Sequence, residues 1–372
     1  MHDGSVLARP ATPPNSSHTR NTGKPRRTGR PVDGPRGYAG WMKVKPPKAG
    51  RVRRRVVTIS IYAVACLLLT ALAPAWFVVG LVVGAVRGRS FVVLRLLAFA
   101  WFYFAFELIA LLLVAGVFIT RRRGAARDEA LYRLQAWWGS VNLRVAQRAL
   151  RLTIEVDGAE RALPGPSILL IRHASILDTL LPCTYVQRPY RFHVRYVLKQ
   201  ELLFDPCIDI VGNALPNYFV DRTGNTAAEL DGVRRLTEGL GMDAVLIFPE
   251  GTRFSAEKRQ RALDRLASEG SSLLEAAGAL THVLPPKAGG VLTLLDALPN
   301  VDCVFVAHAG LETFAKISSL LDGAVVGSSV RVKLWRVQGS DIPKREDERL
   351  RWLYAQWTKV DLFVKNSASL GG

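Results

Sequence analysis

The residues best suited to acid–base chemistry are a histidine and an aspartate five positions apart. His173 follows the apolar run 166–171, which predicts a strand, and Asp178 comes shortly after it. If a helix begins near Ser175, the carboxylate returns within about one turn and can accept from one ring nitrogen of His173. The other nitrogen can then take a proton from a hydroxyl. The pair predicts a general base, although a structural hydrogen bond explains it equally well when it is read alone.

Two further blocks carry cations that suit a phosphate. Residues 219–222 end in Arg222 after a strand-like hydrophobic run from Ile208. An arginine fork bonds phosphate oxygens in pairs, so Arg222 is a candidate phosphate ligand. Residues 284–290 hold Lys287 between two prolines and two glycines. An ion pair on a surface turn would explain the first block, and a bare turn would explain the second.

A more specific block occupies residues 247–253. An apolar strand ends at Pro249 and Glu250, and Gly251 then lets the backbone approach a ligand closely. Thr252 and Arg253 follow, just before a helix predicted near Ser255. Because a helix N-terminus beside an arginine favours an anion, the block predicts an anion site.

In this order and at these intervals, the blocks resemble the four motifs of the glycerolipid acyltransferase family. The family includes the 1-acylglycerol-3-phosphate acyltransferases and other lysophospholipid acyltransferases. The matching residues, in chain order, are His173 and Asp178, Phe219 to Arg222, Phe248 to Arg253 without a change, and Pro286, Lys287 and Gly289. The resemblance covers roughly 165–310. Arg172 departs from it, since many members have asparagine there. A guanidinium close to His173 would disfavour the imidazolium, unless it points away or contacts the phosphates of the acyl donor.

The resemblance implies transfer of a fatty acyl group from acyl-CoA, or from an acylated carrier protein, to the free hydroxyl of 1-acylglycerol-3-phosphate. His173, held by Asp178, would be the base. The residues implied to bind substrate are Arg222, Glu250, Gly251, Thr252, Arg253 and Lys287. No metal and no cofactor besides the acyl donor is implied. A lysophospholipid with another head group is an alternative acceptor, and a membrane-anchored lipid-binding protein without turnover is an alternative of another class.

Strands alternate with helices after residue 151, which predicts an α/β domain with a mixed, largely parallel sheet flanked by helices. The predicted strands are 152–156, 166–171, 192–198, 244–248, 302–307 and 330–336. The predicted helices between and after them are 225–240, 256–280 and 345–360.

Two apolar stretches precede this domain. Residues 56–86 contain no charge and are long enough to cross a bilayer, with a kink expected at Pro74. Residues 91–120 contain Arg95 and Glu107. The short link between the stretches predicts a helical hairpin, transmembrane or re-entrant, and basic flanks place both ends on the cytoplasmic side. Glu107 is expected to be protonated or paired with Arg95 or a backbone group of the hairpin, with a functional carboxyl as the alternative.

The net charge of +19 is concentrated before the catalytic domain. Residues 1–55 carry +12, residues 56–123 carry +5, and residues 124–372 carry +2. This distribution argues against a nucleic-acid groove. It predicts a disordered tail over 1–55 that is attracted to anionic lipid.

The segment 124–150 predicts an amphipathic linker helix, packed on the membrane interface or on the catalytic domain. The residues of its predicted apolar face are Leu131, Leu134, Trp138, Val141 and Val145. The four cysteines form no metal-ligand cluster and are expected to be free thiols. The predicted organisation is a tail (1–55), a membrane hairpin (56–123), this linker and a cytoplasmic-face acyltransferase domain (151–372).

Overall fold

The fold is described from a computed structural model. It describes residues 48–87, 91–221, 226–315, 320 and 322–368. Most of the predicted basic tail therefore lies outside the described residues, and so does Arg222.

Four long helices form the N-terminal part of the described chain. They are α1 (Lys48–Ala71), α2 (Ala73–Arg87), α3 (Val92–Thr120) and α4 (Ala125–Leu150). The predicted span 56–86 is thus two helices that meet at Leu72. Pro74 lies in the first turn of α2, where a missing N–H leaves no intrahelical bond unmade.

Helix α1 begins inside the segment that was predicted to be a disordered tail. Two arginines of this segment, Arg54 and Arg55, have a partner in the folded domain. Arg54 Nη2 lies 2.9 Å from Asp209 Oδ2, and Arg55 Nη2 lies 3.2 Å from Asp209 Oδ1. The carboxylate of Asp209 is fully buried, so these pairs fix the start of α1 against the domain.

Seven strands form one mixed sheet. They are β1 (Thr153–Asp157), β2 (Ser167–Ile171), β3 (Val194–Lys199), β4 (Tyr218–Val220), β5 (Ala244–Ile247), β6 (Asp302–Ala309) and β7 (Ser329–Val337). The order is β1-β7-β6-β2-β5-β3-β4. Only the β6–β7 pair is antiparallel among the described strands. The predicted largely parallel sheet is confirmed, and β4 was not predicted as a separate strand.

Six longer helices accompany the strands. They are α5 (Pro206–Ala214), α6 (Thr226–Arg235), α7 (Ala256–Ser268), α8 (Leu274–Ala279), α9 (Ala288–Ala297) and α10 (Glu346–Ala368). A continuous helical segment of mixed type runs over 177–190. The run from Ile208, predicted to be strand-like, belongs to α5, and the predicted helix 256–280 is divided into α7 and α8.

Alternate residues of the central strands pack into two cores. Ile168, Phe305 and their neighbours contact α10 through Trp357, while Leu169, Leu246 and Val306 face α4 and the segment 177–190. The domain therefore has three layers, helix–sheet–helix. Because β2, β5 and β6 are parallel neighbours, their carboxyl ends meet at one edge of the sheet, called the carboxyl edge below.

Helix α4 lies between α3 and the sheet. Of the five residues predicted to form its apolar face, only Leu131 is buried, and the face that packs on the domain also includes Leu143 and Leu150. A Cβ on Gly139 would lie 2.6 Å from Cβ of Cys183, so glycine permits this close approach. The half-buried Trp138 instead faces α3, where its indole N–H donates to Glu107.

Glu107 binds groups outside the hairpin rather than Arg95. Its Oε2 accepts from Trp138 at 2.8 Å, and its Oε1 accepts from the backbone N–H of Cys207 at 2.7 Å. Arg95 instead donates to the carbonyl of Ala149 at 2.9 Å. The expected Arg95 pair is therefore wrong, and Glu107 fastens α3 to α4 and α5.

Two of the described helices are long and apolar enough to cross a membrane. They are Gly50–Ala71 and Val92–Thr120, and only 6% and 17% of their most apolar windows is buried. Core helices of a soluble domain would be mostly buried, so these faces are available to a hydrocarbon phase.

Candidate active site

The predicted base and its partner are in contact at the carboxyl edge. Nδ1 of His173 lies 3.0 Å from Oδ2 of Asp178. Both residues follow β2, in a tight turn that leads into the segment 177–190. The turn places the carboxylate under the imidazole ring, and Nε2 forms no hydrogen bond with any residue that the structure describes. That nitrogen is the one able to accept a proton from a substrate.

Asp178 is fully buried and is held by three further donors. Its Oδ2 accepts from the backbone N–H groups of Ala174 at 2.6 Å and Ser175 at 2.8 Å, and its Oδ1 accepts from the Ser175 hydroxyl at 2.9 Å. Burial alone would raise the pKa of Asp178. The proximity of His308 and the hydrogen bonds from His173 and Ser175 outweigh burial and lower that pKa. The carboxylate therefore stays charged and favours one orientation of the imidazole.

Glu250 ties two of the sequence blocks together. Its Oε1 accepts from the backbone N–H of His173 at 2.8 Å, and its Oε2 accepts from the backbone N–H of Leu284 at 3.0 Å. Burial raises the pKa of this carboxyl to about 7, against the opposing effect of Arg172 and the two N–H donors. Only 1% of the surface of Glu250 is exposed. Its role in the site is therefore to hold the backbone of His173 and Leu284.

The block after β5 turns sharply around a glycine. Gly251 has a φ of 63°, and its N–H donates to the Phe248 carbonyl at 2.9 Å. The Phe248 ring lies 4.8 Å from the His173 ring, measured between centroids. Lys258 donates to the Thr252 hydroxyl and to the carbonyl of Arg253, both at 3.1 Å. The half-buried Arg253 side chain extends from a loop whose backbone is thus fixed.

Lys287 lies against the same loop. Its backbone N–H donates to the Pro249 carbonyl at 2.8 Å, and a Cβ on Gly251 would lie 3.4–3.6 Å from the end of its side chain. The structure therefore brings together His173, Asp178, Glu250, Gly251 and Lys287. Thr252 and Arg253 continue from Gly251, and Arg222 lies outside the described residues. Before it, the backbone N–H of Asp221 donates to Glu229 at 2.9 Å.

Sequence reasoning missed a buried cluster beneath the histidine. The Arg172 guanidinium donates to the carbonyls of His308 at 2.7 Å and His282 at 3.1 Å, and it pairs with Glu312. The guanidinium of Arg172 therefore points into the protein interior. Nε2 of His308 lies 2.9 Å from the Arg172 carbonyl. The available signal was the position of His308, just beyond the predicted strand 302–307 at the same edge.

Within the described residues, no group of three or more histidine, cysteine, aspartate or glutamate side chains is placed to hold a metal ion. The four cysteines are unpaired thiols, three of them buried and Cys66 half-buried. The described residues thus place an imidazole, held by the Asp178 carboxylate, near a tightly turned loop that carries cationic side chains.

The comparisons with known proteins first define a class. Residues 153–308 match the family model described as Acyltransferase, so this part of the chain is similar to the acyltransferase family. The matched range includes β1 to β5, β6 except its last residue, both residues of the His173–Asp178 pair, and Glu250.

Two curated relatives are then similar to this chain. The chain is 25% identical over 239 residues to the 1-acyl-sn-glycerol-3-phosphate acyltransferase gamma of Homo sapiens and to that of Pongo abelii. The alignments cover 62% of this chain and 59% of each relative. Among solved structures, the 1-acyl-sn-glycerophosphate (LPA) acyltransferase PlsC from Thermotoga maritima matches with a TM-score of 0.49 and 15% identity. That match covers 74% of this chain and 95% of the other.

Proposed function

We propose that this protein is a membrane-associated O-acyltransferase that transfers a fatty acyl group from acyl-CoA, or an acylated carrier protein, to the free hydroxyl of 1-acylglycerol-3-phosphate. The observation that carries the proposal is the 3.0 Å contact between Nδ1 of His173 and a buried Asp178 carboxylate. This contact leaves Nε2 for a substrate hydroxyl. The acyltransferase-family match over 153–308 supports the reaction class.

The reaction then needs one base and no covalent enzyme intermediate. Nε2 of His173 removes the proton from the acceptor hydroxyl while the oxygen attacks the thioester carbonyl. The C–S bond of the tetrahedral intermediate breaks, and the departing thiolate takes the proton from the imidazolium. Asp178 stabilises the imidazolium between these steps.

The acceptor phosphate is bound by the cations of the loop region. Arg253 and Lys287 lie on two segments of the chain, which are joined by the backbone hydrogen bond from Lys287 to Pro249. Arg222 would be the third cation of the phosphate site. Charge-assisted hydrogen bonds to phosphate orient the acceptor and place its hydroxyl at the base. Such positioning can supply on the order of 7–11 kcal/mol of the barrier in the best cases.

Apolar surfaces of the domain suit substrates with acyl chains. Thr179 and Leu180, which directly follow Asp178, line a small apolar cavity together with Trp138 of α4 and Ile208 of α5. The exposed apolar faces of α1 and α3 support attachment to a membrane. The basic flanks favour the cytoplasmic side, so we place the catalytic domain at the cytoplasmic surface, where both substrates are available.

The proposal is tested with purified full-length protein in detergent, palmitoyl-CoA and 1-acylglycerol-3-phosphate. Free thiol and diacyl product are measured together, which separates transfer from thioester hydrolysis. The expected result is equal release of thiol and product, lost by at least about 100-fold in His173→Ala. His282→Ala is the matched control, since its ring contacts Thr281 and lies near Asp361.

Persistence of transfer in His173→Ala would refute the base assignment. Transfer to lysophosphatidylcholine but not to 1-acylglycerol-3-phosphate would refute the acceptor while keeping the class. Thiol release without diacyl product would refute acyl transfer itself. A carrier-protein thioester, run beside palmitoyl-CoA, decides between the two donors.

A further inference from the structure

A second concave surface lies among the N-terminal helices, away from the His173–Asp178 pair. This groove, of about 670 Å³, is bordered by Leu81 of α2, by Phe91 and the part of α3 up to Phe106, and by α4 from Val145 to Ala149. The volume falls within the range of about 300–1,000 Å³ that is usual for ligand pockets. The acyltransfer steps described above do not use it.

Most of the groove is apolar, and one end of it is cationic. Its walls are aliphatic and aromatic, with Leu94, Phe102 and Phe106 among them. The charged groups among the described residues that line it are Arg95 and Arg148, and none of those lining residues is acidic. A site with hydrocarbon walls and two cations fits an amphipathic anion.

The cationic end is built into the fold. Arg95 donates from Nη1 to the Ala149 carbonyl at 2.9 Å, which fixes the guanidinium where α3 meets the end of α4. Two other carbonyls near the end of α4 have partners too, because the N–H groups of Leu152 and Gly327 donate to Gln147 and Leu150. These bonds offset the negative end of the helix dipole. Arg148, which directly precedes Ala149, is exposed.

The surroundings of the groove indicate which class of amphipathic anion it binds. Leu81 and Phe102 lie on exposed apolar faces of α2 and α3, and α3 is one of the two helices able to cross a membrane. A peptide would need backbone hydrogen-bond partners that apolar walls do not offer. A membrane phospholipid places hydrocarbon against these walls and its phosphate at the arginines.

We infer that this groove binds an anionic membrane phospholipid, with its phosphate between Arg95 and Arg148 and an acyl chain along α3. The inference rests on the proposed membrane association and does not depend on acyl transfer. The bound lipid lies beside the segment that follows β6, since Leu96 of α3 packs with Leu150, Phe314 and Val325. Glu312 of that segment pairs with Arg172, next to the base.

The test measures lipid binding to full-length His173→Ala protein, in which we expect acyl transfer to be lost. Dioleoyl-phosphatidylglycerol or dioleoyl-phosphatidylcholine is added in detergent, and native mass spectrometry records the fraction of protein carrying one lipid. We expect tighter binding of phosphatidylglycerol. Arg148→Gln should weaken it about fivefold and leave phosphatidylcholine unchanged, as one arginine beside an anionic lipid is worth about 1 kcal/mol.

Two further variants make the outcome specific. Arg122→Gln removes an exposed arginine at the far end of α3 and should change neither lipid. Ala98→Trp fills the groove and should weaken both lipids, with a melting temperature confirming that it folds. Equal effects of Arg148→Gln and Arg122→Gln, or no effect of either, would overturn the site. If the unchanged protein transfers acyl groups while the His173→Ala protein shows no Arg148-dependent lipid binding, only this inference is refuted.

Discussion

Oδ1 of Asp178 lies 3.7 Å from Nε2 of His308, while Oδ2 of the same carboxylate lies 3.0 Å from Nδ1 of His173. Burial lowers the pKa of His308, an effect to which the nearby Arg172 adds and which Asp178 opposes. Burial alone would raise the pKa of Asp178, but the nearby His308 and the hydrogen bonds from His173 and Ser175 outweigh burial and keep that pKa low. A single charged carboxylate between two imidazoles follows from this arrangement.

Asp178→Asn should lower kcat by about 100- to 10,000-fold with little change in KM. The amide keeps the volume of the carboxylate but cannot stabilise the imidazolium, which forms only during the reaction. Steady-state kinetics with varied acceptor measures both constants. Ser175→Ala removes only one of four donors to the carboxylate and should cost less than about tenfold. Equal losses in the two variants would contradict the role given to the charge.

Glu250→Gln should reduce both stability and activity. Each Glu250 oxygen accepts from a backbone N–H, and an amide presents a donor to one of the two. One buried N–H then loses its partner, at about 1–3 kcal/mol. The backbone of His173 or Leu284 shifts with it, so kcat falls as well.

Thermal unfolding and kcat are measured on this variant beside Glu348→Gln, which changes a carboxyl on the surface of α10. An unchanged melting temperature in Glu250→Gln would show that Glu250 does not hold the two segments.

The sheet and its edge could be predicted because local patterns specify them. Apolar runs bounded by turns mark β2, β5 and β6, and parallel strands necessarily end at one edge. His173, Asp178 and the 248–253 block each follow such a run, so the parallel strands bring them to the same edge of the sheet. The three-residue strand β4 is too short for any periodic pattern to indicate.

Contacts between distant segments could not be predicted in the same way. The helical structure of residues 48–55 involves ion pairs with the distant Asp209. The hydrogen bond from Cys207 to Glu107 depends on how α5 packs against α3. Helix α4 packs against α3 on one side and against the sheet on the other, so a single apolar stripe does not describe its buried surface. Arg172 appeared next to the base in sequence, yet its guanidinium binds carbonyls of two other segments.

Arg253→Ala should raise KM for 1-acylglycerol-3-phosphate by about 10- to 150-fold, with a smaller effect on kcat. A hydrogen bond to a charged group is worth about 1.5–3 kcal/mol, which gives this factor. Lys258 binds the carbonyl of Arg253 and not its guanidinium, so the loop backbone should survive the change.

The same variant is assayed with monoacylglycerol, which has no phosphate, and Arg261→Ala on the exposed face of α7 serves as the control. If Arg253 binds phosphate, its removal affects the phosphate acceptor selectively. Equal losses with both acceptors would assign Arg253 to the donor or to the loop structure.

His193 joins α4 to the sheet and should make stability fall as pH rises. Its Nε2 lies 2.8 Å from Glu129 Oε2, its Nδ1 lies 3.4 Å from Asp243 Oδ1, and its ring stacks on Tyr132 at 4.0 Å between centroids. Burial alone would lower the pKa of His193, but the two carboxylates outweigh burial and raise it. Arg195 also pairs with Asp243, so the imidazolium shares that partner.

The folded state therefore favours the protonated ring. Its stabilising effect is fully present below the ordinary value of 6.5 and is lost as pH rises through the raised pKa. His193→Phe keeps a ring against Tyr132 but removes the charge. Between pH 6 and 8 we expect the melting temperature of the unchanged protein to fall about 2–4 °C more than that of His193→Phe, since a half-exposed pair contributes about 1 kcal/mol. Parallel curves across this range would mean that the Glu129 and Asp243 contacts add no pH-dependent stability.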